Sequence, residues 1–139
     1  MNVNQAMEIL KTNKIFENLG DEMLDTLMFL SYTREFAGGD TIYIKGEPSN
    51  DRFGLILSGS VHIITKEGKV FKVVSKGDVI GEIALSDPNH KRTMTVEAAT
   101  NTEILEWDVN HIKQQVPGLW KNLVKLAWEH MREYYEDVG

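Results

Sequence analysis

Glu82 and Arg92 are the two residues of this chain whose types and spacing suggest chemistry, in the stretch from Gly77 to Val96. Gly81 precedes the glutamate and lets the backbone approach a ligand with no Cβ in the way. The amides of Ile83, Ala84 and Leu85 would open a short helix whose N-terminus favours an anion. A carboxylate suits a sugar hydroxyl, and a guanidinium suits a phosphate, bidentately where geometry allows. A ligand that needs both at once is a nucleotide.

Residue by residue, blander readings compete. Gly81 alone could merely relieve a turn, an isolated Glu is ordinarily a solvated charge, and His90-Lys91-Arg92 could be a wet basic loop. The strand-forming Thr93-Met94-Thr95-Val96 run puts Arg92 at a strand start facing the turn, which favours the site reading.

These elements must be positioned by the rest of the chain. From Val3 to Leu30, apolar residues fall at helical spacing in a stripe broken near Gly20, with Asp21 expected to cap the second helix. From Thr33 to Asp108 the rhythm changes to short β-branched and aromatic runs separated by turn residues, including a tight hairpin at Glu67-Gly68-Lys69. A short helix is expected from Val109 to Val116, and a longer one beyond Pro117-Gly118 to about Glu136. The expected fold is mainly β: a jelly-roll-like double-stranded β-helix at about 32–108, with helices at about 3–31 and 109–136. Residues 1–139 are expected to form one domain.

The stretch at 77–96 closely resembles the phosphate-binding cassette of the cyclic nucleotide-binding domain family, found in catabolite-activator-like regulators, cyclic-nucleotide-dependent kinases and gated channels. Gly77, Gly81, Glu82, Ile83, Ala84, Leu85, Arg92, Thr93, Thr95 and Val96 match its pattern, while Ile80 stands where Phe is usual and Met94 where a small residue is usual. The segments Gly39 to Glu47, Phe53 to Val61 and Ile15 to Leu19 resemble further family motifs, so about residues 14–135 are covered.

The resemblance implies a module that binds cAMP or cGMP and signals through movement of its C-terminal helices. It implies phosphate and ribose contacts at Gly81, Glu82, Ile83, Ala84, Arg92 and Thr93, with Glu82 accepting from the ribose 2′-hydroxyl and so preferring ribose to deoxyribose. Thr93 would serve the cyclic phosphate or the 2-amino edge of guanine, leaving the base open. The apolar wall is expected from Val61, Ile63, Val73, Val79, Ile80, Leu85 and Met94, most of them equally good barrel core. The last helix carries an apolar arc wider than one core-facing stripe requires. Trp128, Tyr134 and Tyr135 are lid candidates there, with pairing of two chains through this helix the favoured use of the surplus surface.

Other classes are disfavoured. A net charge of −6 and a pI of about 5.2 argue against a nucleic-acid surface. Zero cysteines remove disulfides and thiolate metal sites. His62, His90, His111 and His130 are too scattered for a cupin-like metal site. Glu133, Glu136 and Asp137 read as solvated helix surface. No nucleophile–base pair stands out, so an enzyme is not expected. With no leader and no run of eighteen apolar residues, the chain reads as cytoplasmic and free of the membrane. No room is seen for a helix-turn-helix, so the output is expected to be an unknown downstream protein, unless the chain is cut from a longer one. The alternative is a β-roll interaction module that does not bind nucleotide.

Overall fold

A computed structural model describes residues 2–65, 67–86 and 89–138, and their side chains apart from those of 86 and 135–138. Helix α1 (Val3–Leu10) starts at a capping box, in which Asn2 Oδ1 accepts from the Gln5 amide at 2.9 Å and Gln5 Oε1 accepts from the Asn2 amide at 3.2 Å. A 3-10 turn at Lys14–Phe16 buries Ile15 and Phe16. Helix α2 (Asp21–Leu30) is capped by Gly20 without a side-chain bond, one residue earlier than expected. Asp21 is instead the first helical residue, where its carboxylate still suits the positive end of the helix dipole.

Eight strands follow: β1 (Tyr32–Phe36), β2 (Thr41–Tyr43), β3 (Arg52–Ser58), β4 (Ser60–Ile64), β5 (Val70–Ser75), β6 (Val79–Ile80), β7 (Thr95–Ala98) and β8 (Thr102–Asp108). They form two antiparallel four-stranded sheets, in the orders β1-β8-β3-β6 and β2-β7-β4-β5. Between β6 and β7 lies a 3-10 helix at Glu82–Ser86. Helix α3 (Val109–Gln115) is capped by Asp108, and α4 (Pro117–Val138) begins at Pro117 itself. Proline fits the first helical position because its missing N–H would be unpaired there anyway. This is the β-roll between helices that the sequence rhythm implied.

Strand alternation divides the interior in two. Phe53, Leu55 and Leu57 of β3, with Leu105 and Trp107 of β8, face the helices and pack with Leu10, Leu27, Ile112, Leu119 and Leu123. Trp107 anchors this half: its Nε1 donates to the Leu27 carbonyl at 2.8 Å, and its ring stacks on Phe53 at 5.4 Å. Ile56 and Ile104, at the alternate positions, face the roll with Ile42, Val61, Ile80 and Val96. Glu106 shares that inward parity and is fully buried, so a charge sits among apolar residues and needs partners.

Helix α4 bridges both halves. Leu119 and Leu123 carry its buried stripe along the first cluster, and buried Ala127 extends it. Met131 and Tyr134 continue it onto the second. Among the described residues, no helix is long and apolar enough to cross a membrane.

Candidate functional site

The short strand β6 delivers the chain to Gly81, whose φ of +81° is in the left-handed region that glycine adopts without strain. Space also demands glycine: a Cβ here would lie 2.6 Å from Arg92 Nη1 and 2.9 Å from Tyr43 Cε2. The 3-10 helix then starts at once, burying Glu82, Ile83 and Ala84.

Arg92 returns to the same spot from the connection three residues before β7, not from the strand start expected for it. Its amide donates to the Glu47 carbonyl at 2.8 Å, and its own carbonyl accepts from Gly46 at 2.8 Å. Only 6% exposed, its guanidinium donates to the carbonyls of Gly81 (3.1 Å) and Ser49 (3.0 Å) and lies 3.6 Å above the centre of the Tyr43 ring. Cation and ring face attract in that arrangement. Tyr43 in turn donates its hydroxyl to Glu106 Oε2 at 2.7 Å, and Arg34 Nη1 (3.1 Å) and Arg52 Nη1 (3.5 Å) complete the surroundings of that carboxylate. Burial first, then the Glu106 charge, pushes the Tyr43 hydroxyl far above its ordinary value, so it remains a proton donor. Burial lowers the Arg92 value, while Tyr43 and Glu106 oppose the shift.

Glu82 is 3% exposed, and its partner comes from across the molecule: His130 Nδ1 on α4 donates to Glu82 Oε1. This hydrogen bond raises the imidazole above its ordinary value, against the opposing effect of burial. One turn on, Glu133 Oε1 lies 3.3 Å from Lys72 Nζ, and Tyr134 meets Phe71 edge-on at 5.4 Å. Together these groups enclose a cavity of about 60 Å³.

Gly81, Glu82, Ile83, Ala84, Arg92 and Thr93 all line this cavity, as do Ile63, Val79, Ile80 and Met94. Val61 is buried in the roll behind it, and Leu85 packs towards the helices. Val73 points outward at 58% exposed, and Val74 takes the inward place. Cross-strand register explains the exchange: Val74 pairs with buried Val61, whereas Val73 pairs with His62 on the opposite face.

Of the lid candidates, Tyr134 packs on Phe71, Trp128 is 56% exposed and lines no part of the cavity, and the Tyr135 side chain lies outside the described residues. Glu133 borders the cavity instead of being plain helix surface, and the side chains of Glu136 and Asp137 lie outside the described residues. Among the described residues no three His, Cys, Asp or Glu side chains converge in a way that would hold a metal ion.

Sequence reasoning missed Tyr43, Lys72, Glu106 and His130. For His130 a signal existed: it follows Leu119, Leu123 and Ala127 along the same helical stripe, where a polar residue must meet a buried partner.

A family model described as the cyclic nucleotide-binding domain matches residues 33–116. The chain is 28% identical over 90 residues to the Pycsar effector protein BcPycTIR of Burkholderia cepacia, covering 63% of this chain and 29% of that protein. Its fold is similar to cAMP-bound PfPKA-R (TM-score 0.82, 21% identity, 96% of this chain and 46% of that one). It is likewise similar to the regulatory subunit of a cAMP-independent protein kinase A from Trypanosoma brucei (TM-score 0.80, 24% identity, 96% and 48%). The chain thus spans under a third of that curated relative and about half of each of these two structures.

Proposed function

This chain belongs to the cyclic nucleotide-binding domain family, and from that premise we propose that residues 1–139 form a cytoplasmic sensor unit for cAMP or cGMP whose occupancy changes the seating of α4. One observation carries the reading: Gly81, Glu82, Arg92 and Thr93 line a single cavity together with apolar Ile63, Val79, Ile80 and Met94. In this reading the Arg92 guanidinium and the amides of Ile83 to Leu85 take the cyclic phosphate, and Glu82 accepts from the ribose 2′-hydroxyl. Thr93 contacts the phosphate or the base edge. Apolar Ile63, Val79, Ile80 and Met94 pack against sugar and base. The role is regulatory, with no catalytic step. Output passes to a protein partner, and the part-exposed face of α4 around Trp128 suits a second copy of the chain.

A ligand moves α4 only through its different affinities for the two seatings of that helix. A non-binding interaction module is the second reading, favoured by the internal partners that both Glu82 and Arg92 already have.

Calorimetric titration and thermal unfolding with cAMP, cGMP and 5′-AMP separate the two. A cyclic nucleotide at about 100 times its Kd should add about 2.7 kcal/mol of stability, and Arg92→Ala should abolish the gain. The 2′-deoxy analogue should bind at least about tenfold more weakly, because it leaves the Glu82 carboxylate short of a donor. No stabilisation by either cyclic nucleotide at millimolar concentration overturns the sensor reading.

A further inference from the structure

We propose that His130 is an internal competitor for the nucleotide: with α4 seated, its imidazole occupies the Glu82 carboxylate that the ribose needs, so His130 sets ligand affinity and makes it depend on pH. The inference rests on the reading of Glu82 as the ribose acceptor.

Occupancy of Glu82 decides between a competing and a supporting role. A site of about 10–15 Å³ holds one water, so the cavity of about 60 Å³ under seated α4 has room for about four or five. His130 Nδ1 already holds Glu82 Oε1, so a ribose hydroxyl reaches that atom only if the imidazole withdraws. The sheets are held by ladder hydrogen bonds and the 3-10 helix by its burial. By contrast, among the described residues the end of α4 meets the cavity wall through three polar or aromatic pairs, His130 with Glu82, Glu133 with Lys72, and Tyr134 with Phe71, with Met131 packed on the roll beside them.

Of these three, only the His130 contact engages a group assigned to the ligand. The Glu133–Lys72 pair is more than two-fifths exposed on both sides and is weak for that reason.

Charge strengthens the contact. The groups facing His130 are Glu82 from the 3-10 helix, Lys72 from β5 and Glu133 one turn along α4. Both carboxylates favour the imidazolium and Lys72 opposes it. Seated against Glu82, His130 keeps its proton above the ordinary imidazole value; released to water, it returns towards that value. Between the two values, nucleotide entry must expel a proton, and affinity must rise with pH, by at most tenfold per pH unit for one proton.

Calorimetry on the whole chain tests this with cAMP and cGMP at pH 6 to 8.5, in buffers of different ionisation enthalpy, for the parent, His130→Ala and His130→Gln. The parent should release up to one proton and bind more tightly as pH rises. His130→Ala should bind about tenfold tighter than the parent at pH 6 and show no such slope. His130→Gln, which keeps a neutral donor and guards against a folding defect in the alanine variant, should be intermediate and equally flat.

In the ligand-free protein the His130 ring resonances should titrate above the ordinary range, and Glu82→Gln should bring them down. Binding by both parent and His130→Ala with equal affinity, or weaker binding by His130→Ala, overturns the competitor role alone. Absence of binding by either protein sinks the sensor reading and the competitor role with it.

Discussion

Replacing Gly81 by alanine probes the site where backbone strain and packing coincide. At φ +81° an L-residue is in the left-handed region, which costs about 1–2 kcal/mol. The new methyl would also lie 2.6 Å from Arg92 Nη1, so the guanidinium must shift and lose its 3.1 Å bond to the Gly81 carbonyl, about 1 kcal/mol net. On the other side Tyr43 Cε2 is 2.9 Å away, and that buried ring is tied through its hydroxyl to Glu106, so it yields poorly.

The first two losses sum to about 2–3 kcal/mol, and overpacking against the Tyr43 ring takes the total to about 4 at most. At about 3 °C per kcal/mol for a chain of this size, the midpoint should fall by about 6–12 °C. Gly39→Ala is the matched control: its φ is +95°, yet nothing lies within 4 Å of its Cβ position, so only the backbone part applies. Urea unfolding followed by tryptophan emission gives both values. If Gly81→Ala is no more destabilising than Gly39→Ala, the crowding around Arg92 and Tyr43 is not real and the argument fails.

Tyr43→Phe keeps the ring beneath Arg92 but removes a donor from buried Glu106, so urea unfolding should show a loss of about 1.5–3 kcal/mol. Trp107→Ala empties the centre of the helix-side core and strands the Leu27 carbonyl, and should lower stability by about 3–5 kcal/mol in the same assay. Since the native His130 value lies above its unfolded one of 6.5, its contribution to ligand-free stability is complete below 6.5 and is lost as pH rises through the native value. The stability gap between the parent and His130→Ala should therefore shrink on going from pH 6 to alkaline pH; a gap that widens would refute the ion-pair assignment. Lys72→Ala should change stability by less than about 0.5–1 kcal/mol, since its pair with Glu133 is largely in water.

Local signals were sufficient for much of this molecule. Helical spacing before Leu30 and the change to short turn-bounded strands depend on neighbours within a few residues, and the structure follows them. So does the cassette, because a glycine needed for positive φ and a helix opening directly after it are written in consecutive residues. Errors arose where parity or a distant partner decided. Val73 and Val74 are equally apolar, and the pairing of β5 with β4 alone selected Val74 for the cavity.

Tertiary structure alone decided the polar wiring of the site. Glu82 meets His130 from 48 residues away, and Tyr43 meets Glu106 from 63. Helical spacing marks His130 as inward-facing, but nothing local names the partner in either pair, because a buried charge is tolerated wherever the fold brings a complementary group, and that group sits on another element. The sequence therefore marked the residues that the sensor reading assigns to a nucleotide. Only the packing of α4 and β8 against the roll revealed what those residues hold in its absence.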